Sequence, residues 1–119
     1  MKTYKDVYKL PLKFSDNDYT SRVVDQDDNF VFQFTFKNEE TRAILLDVIN
    51  GVKTLKTKEL VFFNENGDIK NNEDNGTIIL IRGWGNLTGI GTMNLPIEVA
   101  ANIQDTFAEF VVEQLNKRD

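Results

Sequence analysis

The chain has 119 residues, 40% of them hydrophobic and 28% charged, with a formal net charge of -5 and neither cysteine nor histidine. No disulfide framework, Cys or His metal site, thiol nucleophile or Ser–His–Asp triad can be built from such a set, and the length supports one compact core. The acidic balance weighs against sequence-independent nucleic-acid binding, which needs clustered Lys and Arg.

The first segment is basic, with Lys2, Lys5, Lys9 and Lys13, and the next is acidic, with Asp16, Asp18, Asp25, Asp27 and Asp28. This is the pattern of a solvated strand face followed by polar turns. From Tyr8 to Phe14 the residues alternate strictly: Tyr8, Leu10, Leu12 and Phe14 share one face, and Lys9, Pro11 and Lys13 the other. The spacing predicts a half-buried strand, which Pro11 puts at a sheet edge or ends early. A polar turn over Ser15–Thr20, a short strand over Arg22–Asp25 and a tight turn at Gln26–Asn29 follow. Phe30 to Phe36 is the strongest strand pattern, with Phe30, Phe32, Phe34 and Phe36 on one face. Those rings are expected to meet Ile103, Phe107 and Phe110 of the last helix.

Asn38 is a good N-cap, and Glu39 and Glu40 suit the positive end of a helix dipole. The predicted helix carries an apolar stripe of Ile44, Leu45, Val48 and Ile49 and ends at Asn50-Gly51. Leu60–Phe63 reads as a strand. Asn64–Gly76 reads as a long, flexible loop whose one apolar residue is Ile69, with turns at Asn66-Gly67 and Asn75-Gly76. Thr77–Arg82 is apolar on both faces and predicts an interior strand. Gly83–Asn86 then reads as a hairpin turn and Leu87–Leu95 as the returning strand. Pro96 opens the last helix, striped by Ile97, Ala100, Ile103, Phe107, Phe110, Val111 and Leu115.

The two halves rhyme. Each runs strand, turn, strand, helix, and the helices end in Val48-Ile49-Asn50 and Gln114-Leu115-Asn116, although the strand and turn residues differ. The order predicts a single α+β domain over residues 1–119, a mostly antiparallel sheet of about five or six strands with two helices packed on one face. The segment VVDQDDNFVFQF with a helix ending VING, and the later stretch IRGWGNLTGIGTMNLP through IQDTFAEFVVEQLN, resemble small proteins of phages and integrated mobile elements of gut bacteria. The resemblance covers most of the chain from about Arg22 onward. It implies no activity, cofactor or catalytic residue.

Gly83, Gly85, Gly89 and Gly91 lack the Lys-Ser/Thr or helix-opening glycine of nucleotide-binding loops, and read as turn and packing glycines. The loop NENGDIKNNEDNG offers nine Asn, Asp or Glu side chains but not the ligand spacing of a calcium loop. No catalytic, cofactor-binding or metal residue is therefore assigned, and no cofactor is expected. Trp84, the one tryptophan, stands between glycines after Arg82; it reads either as a ring tucked back over the sheet edge or, with Arg82, as a candidate contact for a partner. The opening MKTYKDVYKLPLKF lacks the apolar stretch of a signal peptide and the longest apolar run, Ile78–Ile81, is far too short for a bilayer, so a cytoplasmic location and no membrane association are expected. The resemblance implies a phage or mobile-element accessory protein, and with no catalytic constellation in the sequence a non-enzymatic role is expected, binding another protein or a second copy of itself. The alternatives are an acidic inhibitory or small-ligand-binding module and, behind it, a carboxylate-based enzyme.

Overall fold

The computed structural model describes residues 1–16, 21–56, 59–73, 76–81, 87–88 and 94–118. Within them the chain forms α1 (Tyr4–Val7), β1 (Lys13–Phe14), β2 (Arg22–Val24), β3 (Phe30–Phe34), α2 (Glu39–Ile49), β4 (Phe62–Glu65), β5 (Asp68–Asn71), β6 (Thr77–Ile81) and α3 (Ile97–Asn116). The strands make one six-stranded sheet in the order β1-β2-β3-β6-β5-β4, antiparallel throughout. The expected α+β architecture is present. Val23, Phe32, Phe34, Ile69, Ile79 and Ile81 of the sheet share one buried cluster with Leu45 and Ile49 of α2 and Ile103, Phe107 and Leu115 of α3.

The rhyme between the halves is structural. Among the described residues, 12–50 and 62–116 each contain three antiparallel strands and a long helix, and β3 joins β6 at the centre through Phe32↔Ile81, Gln33↔Leu80 and Phe34↔Ile79. An antiparallel pair of equivalent strands implies a local two-fold through Gln33 and Leu80, relating Phe32 to Ile79. Both halves carry a β-bulge at the corresponding place. Val31 is the extra residue between Val23↔Phe32 and Val24↔Phe30, and Ile78 between Ile69↔Ile79 and Lys70↔Thr77. Both helices end in an asparagine that clamps the chain at an outer strand. Asn50 accepts from Leu12 N (2.8 Å) and donates to Leu12 O (2.8 Å), while Asn116 accepts from Phe62 N (2.8 Å) and donates to Phe62 O (2.9 Å). The helix C-termini meet where the buried Gln114 side chain donates to Ile49 O (3.1 Å).

Several expectations are corrected. Residues 8–14 are not one strand: β1 keeps only Lys13 and Phe14, and Leu10 is 44% exposed beside a cis Leu10–Pro11 bond. The competing pattern is helical, since Thr3 N bonds Asp6 Oδ2 (2.8 Å) at the start of α1. The four-residue spacing of Tyr4 and Tyr8 then brings both rings onto α3, with Tyr4 stacked on Phe110 (4.9 Å) and Tyr8 edge-on to Phe107 (5.6 Å). Burial, with Asp25 adding to it, holds the Tyr8 phenol far above its ordinary pKa.

The four phenylalanines of β3 do not all share one face. Phe32 and Phe34 are buried and Phe32 lies 6.1 Å from Phe107, but the bulge at Val31 turns that residue inward and leaves Phe30 half-buried under the Arg22 guanidinium (4.4 Å). A bulge shifts the alternation by one residue, which period-two counting cannot see.

The loop expected over Asn64–Gly76 contains a hairpin. Asn66 (φ 55) and Gly67 (φ 91) make a two-residue turn joining β4 to β5, and Ile69 is fully buried. The strand expected over Leu60–Phe63 is shifted to Phe62–Glu65. Of the strand expected over Leu87–Leu95, Leu87 and Thr88 are helical and Asn94 (φ 47) and Leu95 are irregular. The rest of that segment lies outside the described residues.

Candidate functional site

The sheet and α2 part company at one end, and an apolar cavity of about 440 Å³ opens there. Asn38 starts α2 immediately beyond β3, its side chain accepting from Thr41 N (2.9 Å), and the Nε of the buried Arg42 donates to Phe36 O (2.6 Å). With that end of the helix fixed, Leu45 faces the core and Thr41 and Ile44 look over the cavity. The opposite wall comes from the C-terminal half. Phe62 begins β4, Asn71 ends β5, Thr77 and the bulge residue Ile78 open β6, and Leu55 and Leu60 belong to the α2–β4 connection.

This wall is tied down. The Arg118 guanidinium donates to Leu60 O, Leu55 bridges to Arg118, and Asn116 clamps Phe62. The Thr35 hydroxyl donates to Thr77 O, and Asn71 Oδ1 accepts from Glu73 N (2.9 Å). Among the described residues, seven of the eleven that line it are apolar, and none carries a carboxylate or an amine. Among these, the polar atoms come from Thr41, Asn71, Thr77 and the main chain. The volume falls in the usual range of ligand pockets, and such a lining offers desolvation with a few orienting hydrogen bonds.

Beside it, across Leu60, lies a second hollow of about 280 Å³ lined by Glu59, Leu60, Asn72 and Glu73. Both carboxylates are exposed, and neither pairs with a cation among the described residues.

Arg82 and Trp84, the contact residues expected from the sequence, lie outside the described residues, as do Gly83, Gly85, Gly89 and Gly91. The acids of the first turn serve structure. Asp25 is buried and accepts from the main-chain N–H groups of Lys9 (3.0 Å), Asp27 (2.9 Å) and Asn29 (2.9 Å), while Asp27 and Asp28 pair with Lys9 (3.1 Å) and Lys13 (3.2 Å). Of the pocket residues, the sequence singled out Ile44 and Leu45 as helix stripe. That stripe is one residue too wide: Leu45, Val48 and Ile49 are buried, and Ile44 is 37% exposed. An apolar residue at helical spacing with nothing over it was the available clue.

No protein-family model matches the chain, and no curated protein and no solved structure shows detectable similarity to it.

Proposed function

We propose that this chain is a non-enzymatic accessory protein that binds a partner protein, and that the cavity between α2 and the β4–β6 end of the sheet receives an apolar side chain of that partner. The phage or mobile-element setting that the sequence resemblance implies is part of the same proposal. The observation that carries the reading is the cavity itself: about 440 Å³, mainly apolar, and open at Ile44. Burying a large side chain there stabilises a complex by about 1.5–3 kcal/mol, enough for an anchor residue.

The test is selection of a random linear peptide library on the wild type and on Ile44→Asp. Peptides retained by the wild type, lost on Ile44→Asp, and perturbing NMR signals of Thr41, Ile44, Leu60 and Ile78 support the reading. A selection that yields no peptide sensitive to Ile44→Asp overturns it.

A further inference from the structure

The two-fold relation between the halves shows what stands at the place in the N-terminal half that corresponds to the cavity. With Asn50 matched to Asn116, Thr41 corresponds to Phe107, Ile44 to Phe110 and Leu45 to Val111. Burial along the two helices agrees: Leu45, Ile49, Val111 and Leu115 are buried. The exposed Thr41 and Ile44, however, stand against a buried Phe107 and a half-buried Phe110. The difference is α1. Tyr4 covers Phe110 and Phe107, and Tyr8 covers Phe107. With Leu12 matched to Phe62 by their clamps, counting back along the sequence matches Lys9 to Glu59, and the stretch of sequence that matches residues 4–8 contains no aromatic residue. Among the described residues, the cavity is thus the counterpart of a site that two aromatic rings close at α3, with no ring over it.

The charges follow the same relation. Asp25 and Asn71 occupy matching positions, each accepting from the main-chain N–H two residues on, of Asp27 and of Glu73 (2.9 Å in both). Asp27 thus corresponds to Glu73. In the N-terminal half Lys9 bridges to Asp27 at 3.1 Å; in the C-terminal half the corresponding residues are Glu59 and Glu73, two acids on one hollow. Where the first half has the Tyr8 ring and the Lys9 cation, the matching stretch of the second half has no aromatic residue, and an acid, Glu59, stands at the place of Lys9.

We infer that the cavity takes a short peptide segment of the partner carrying an aromatic side chain next to a Lys or Arg, the ring entering between Ile44 and Ile78 and the cation lying over Glu59 and Glu73, as Tyr8-Lys9 does in the N-terminal half. The inference rests on the binding reading above and supplies the chemistry of the occupant. Because both carboxylates are exposed, the cation adds only about twofold to fivefold in affinity, while loss of the ring costs at least about tenfold.

The same peptide selection, sequenced and repeated on Glu59→Lys/Glu73→Lys, tests it. The expected result is enrichment of an aromatic residue flanked by Lys or Arg on the wild type, and a change of that flank to Asp or Glu on the charge-reversed variant. In a synthetic copy of the best peptide, replacing the aromatic residue by Ala should weaken binding at least about tenfold. Peptides that depend on Ile44 but show no cationic preference, or none that reverses, sink this inference and leave the binding reading standing. Concentration-dependent dimerisation abolished by Ile44→Asp would make the occupant a second copy, and would also overturn it. Loss of all Ile44-dependent peptides removes both.

Discussion

Replacing Asn116 by Ala removes both hydrogen bonds that hold Phe62 to the end of α3, at 2.8 and 2.9 Å. Each such bond contributes about 0.5–1.5 kcal/mol net, so the pair is worth about 1–3 kcal/mol. The lower end applies if water reaches the freed N–H and C=O, and the upper end if the nearly buried Phe62 keeps it out. In a domain of this size that corresponds to a fall in melting temperature of roughly 3–15 °C. Asn50→Ala removes the matching pair at Leu12 and should cost a similar amount. Asn116→Asp is the sharper variant, since a carboxylate still accepts from Phe62 N but cannot donate to Phe62 O. It should recover less than half of the loss at neutral pH. Urea unfolding followed by circular dichroism measures all three, with an unchanged m-value as the check for two-state behaviour. Loss of less than about 0.5 kcal/mol in both Ala variants, or an Asp variant as stable as wild type, would show that the clamps are incidental.

Phe32→Ala should cost about 3–5 kcal/mol, as for a fully buried ring, while Phe30→Ala should cost about 1 kcal/mol or less because the bulge leaves that ring under Arg22; equal midpoints in urea would contradict the bulge. The raised phenol of Tyr8 keeps its proton in the folded state after the unfolded chain has lost it. Its stabilising effect is complete below about pH 10 and declines above it by about 1.4 kcal/mol per pH unit, and Tyr8→Phe should flatten that decline; a stability curve unaltered between pH 9 and 11.5 refutes the assignment. Ile44→Asp should leave the melting temperature within about 2 °C of wild type, because the residue is partly exposed over an open cavity. A loss of several kcal/mol by calorimetry would mean that the cavity is closed in solution.

Much of the fold is written plainly in the chain. Asn38 as N-cap, Asn50-Gly51 as stop, Pro96 before α3 and the apolar runs of β3 and β6 are local features, and each is found where its residues put it. What went unread depends on partners far along the chain. Ile69 looked like a stray apolar residue among acids, yet it centres β5 because Ile79 lies across from it. Tyr8 and Leu12 fit period two as well as period four, and only the rings of α3 decide between them. Both bulges change which residues face inward without any Gly to mark them. The likeness of the halves showed in the sequence only as a shared order of elements and the paired terminal asparagines, because pairing register and side-chain clamps, not residue identity, are what the halves share. The pocket went unread for a related reason: a cavity is made of what is missing, and Thr41 and Ile44 have meaning only beside Phe107 and Phe110.

The same asparagine clamps bear on how the protein keeps apart from itself. An open sheet ends in two strands whose outward N–H and C=O groups invite another chain to add on, and short or covered edges suppress such growth. Here the outer strands are only two and four residues long, and at each edge the main-chain pair at Leu12 or Phe62 is already taken by a side-chain amide. An amide presents one donor and one acceptor in the spacing of a peptide unit, so each helix ends as a one-residue false strand. Removing it frees a pairing position, and the visible symptom of a clamp mutation at high concentration should be filament-like association before any loss of helix.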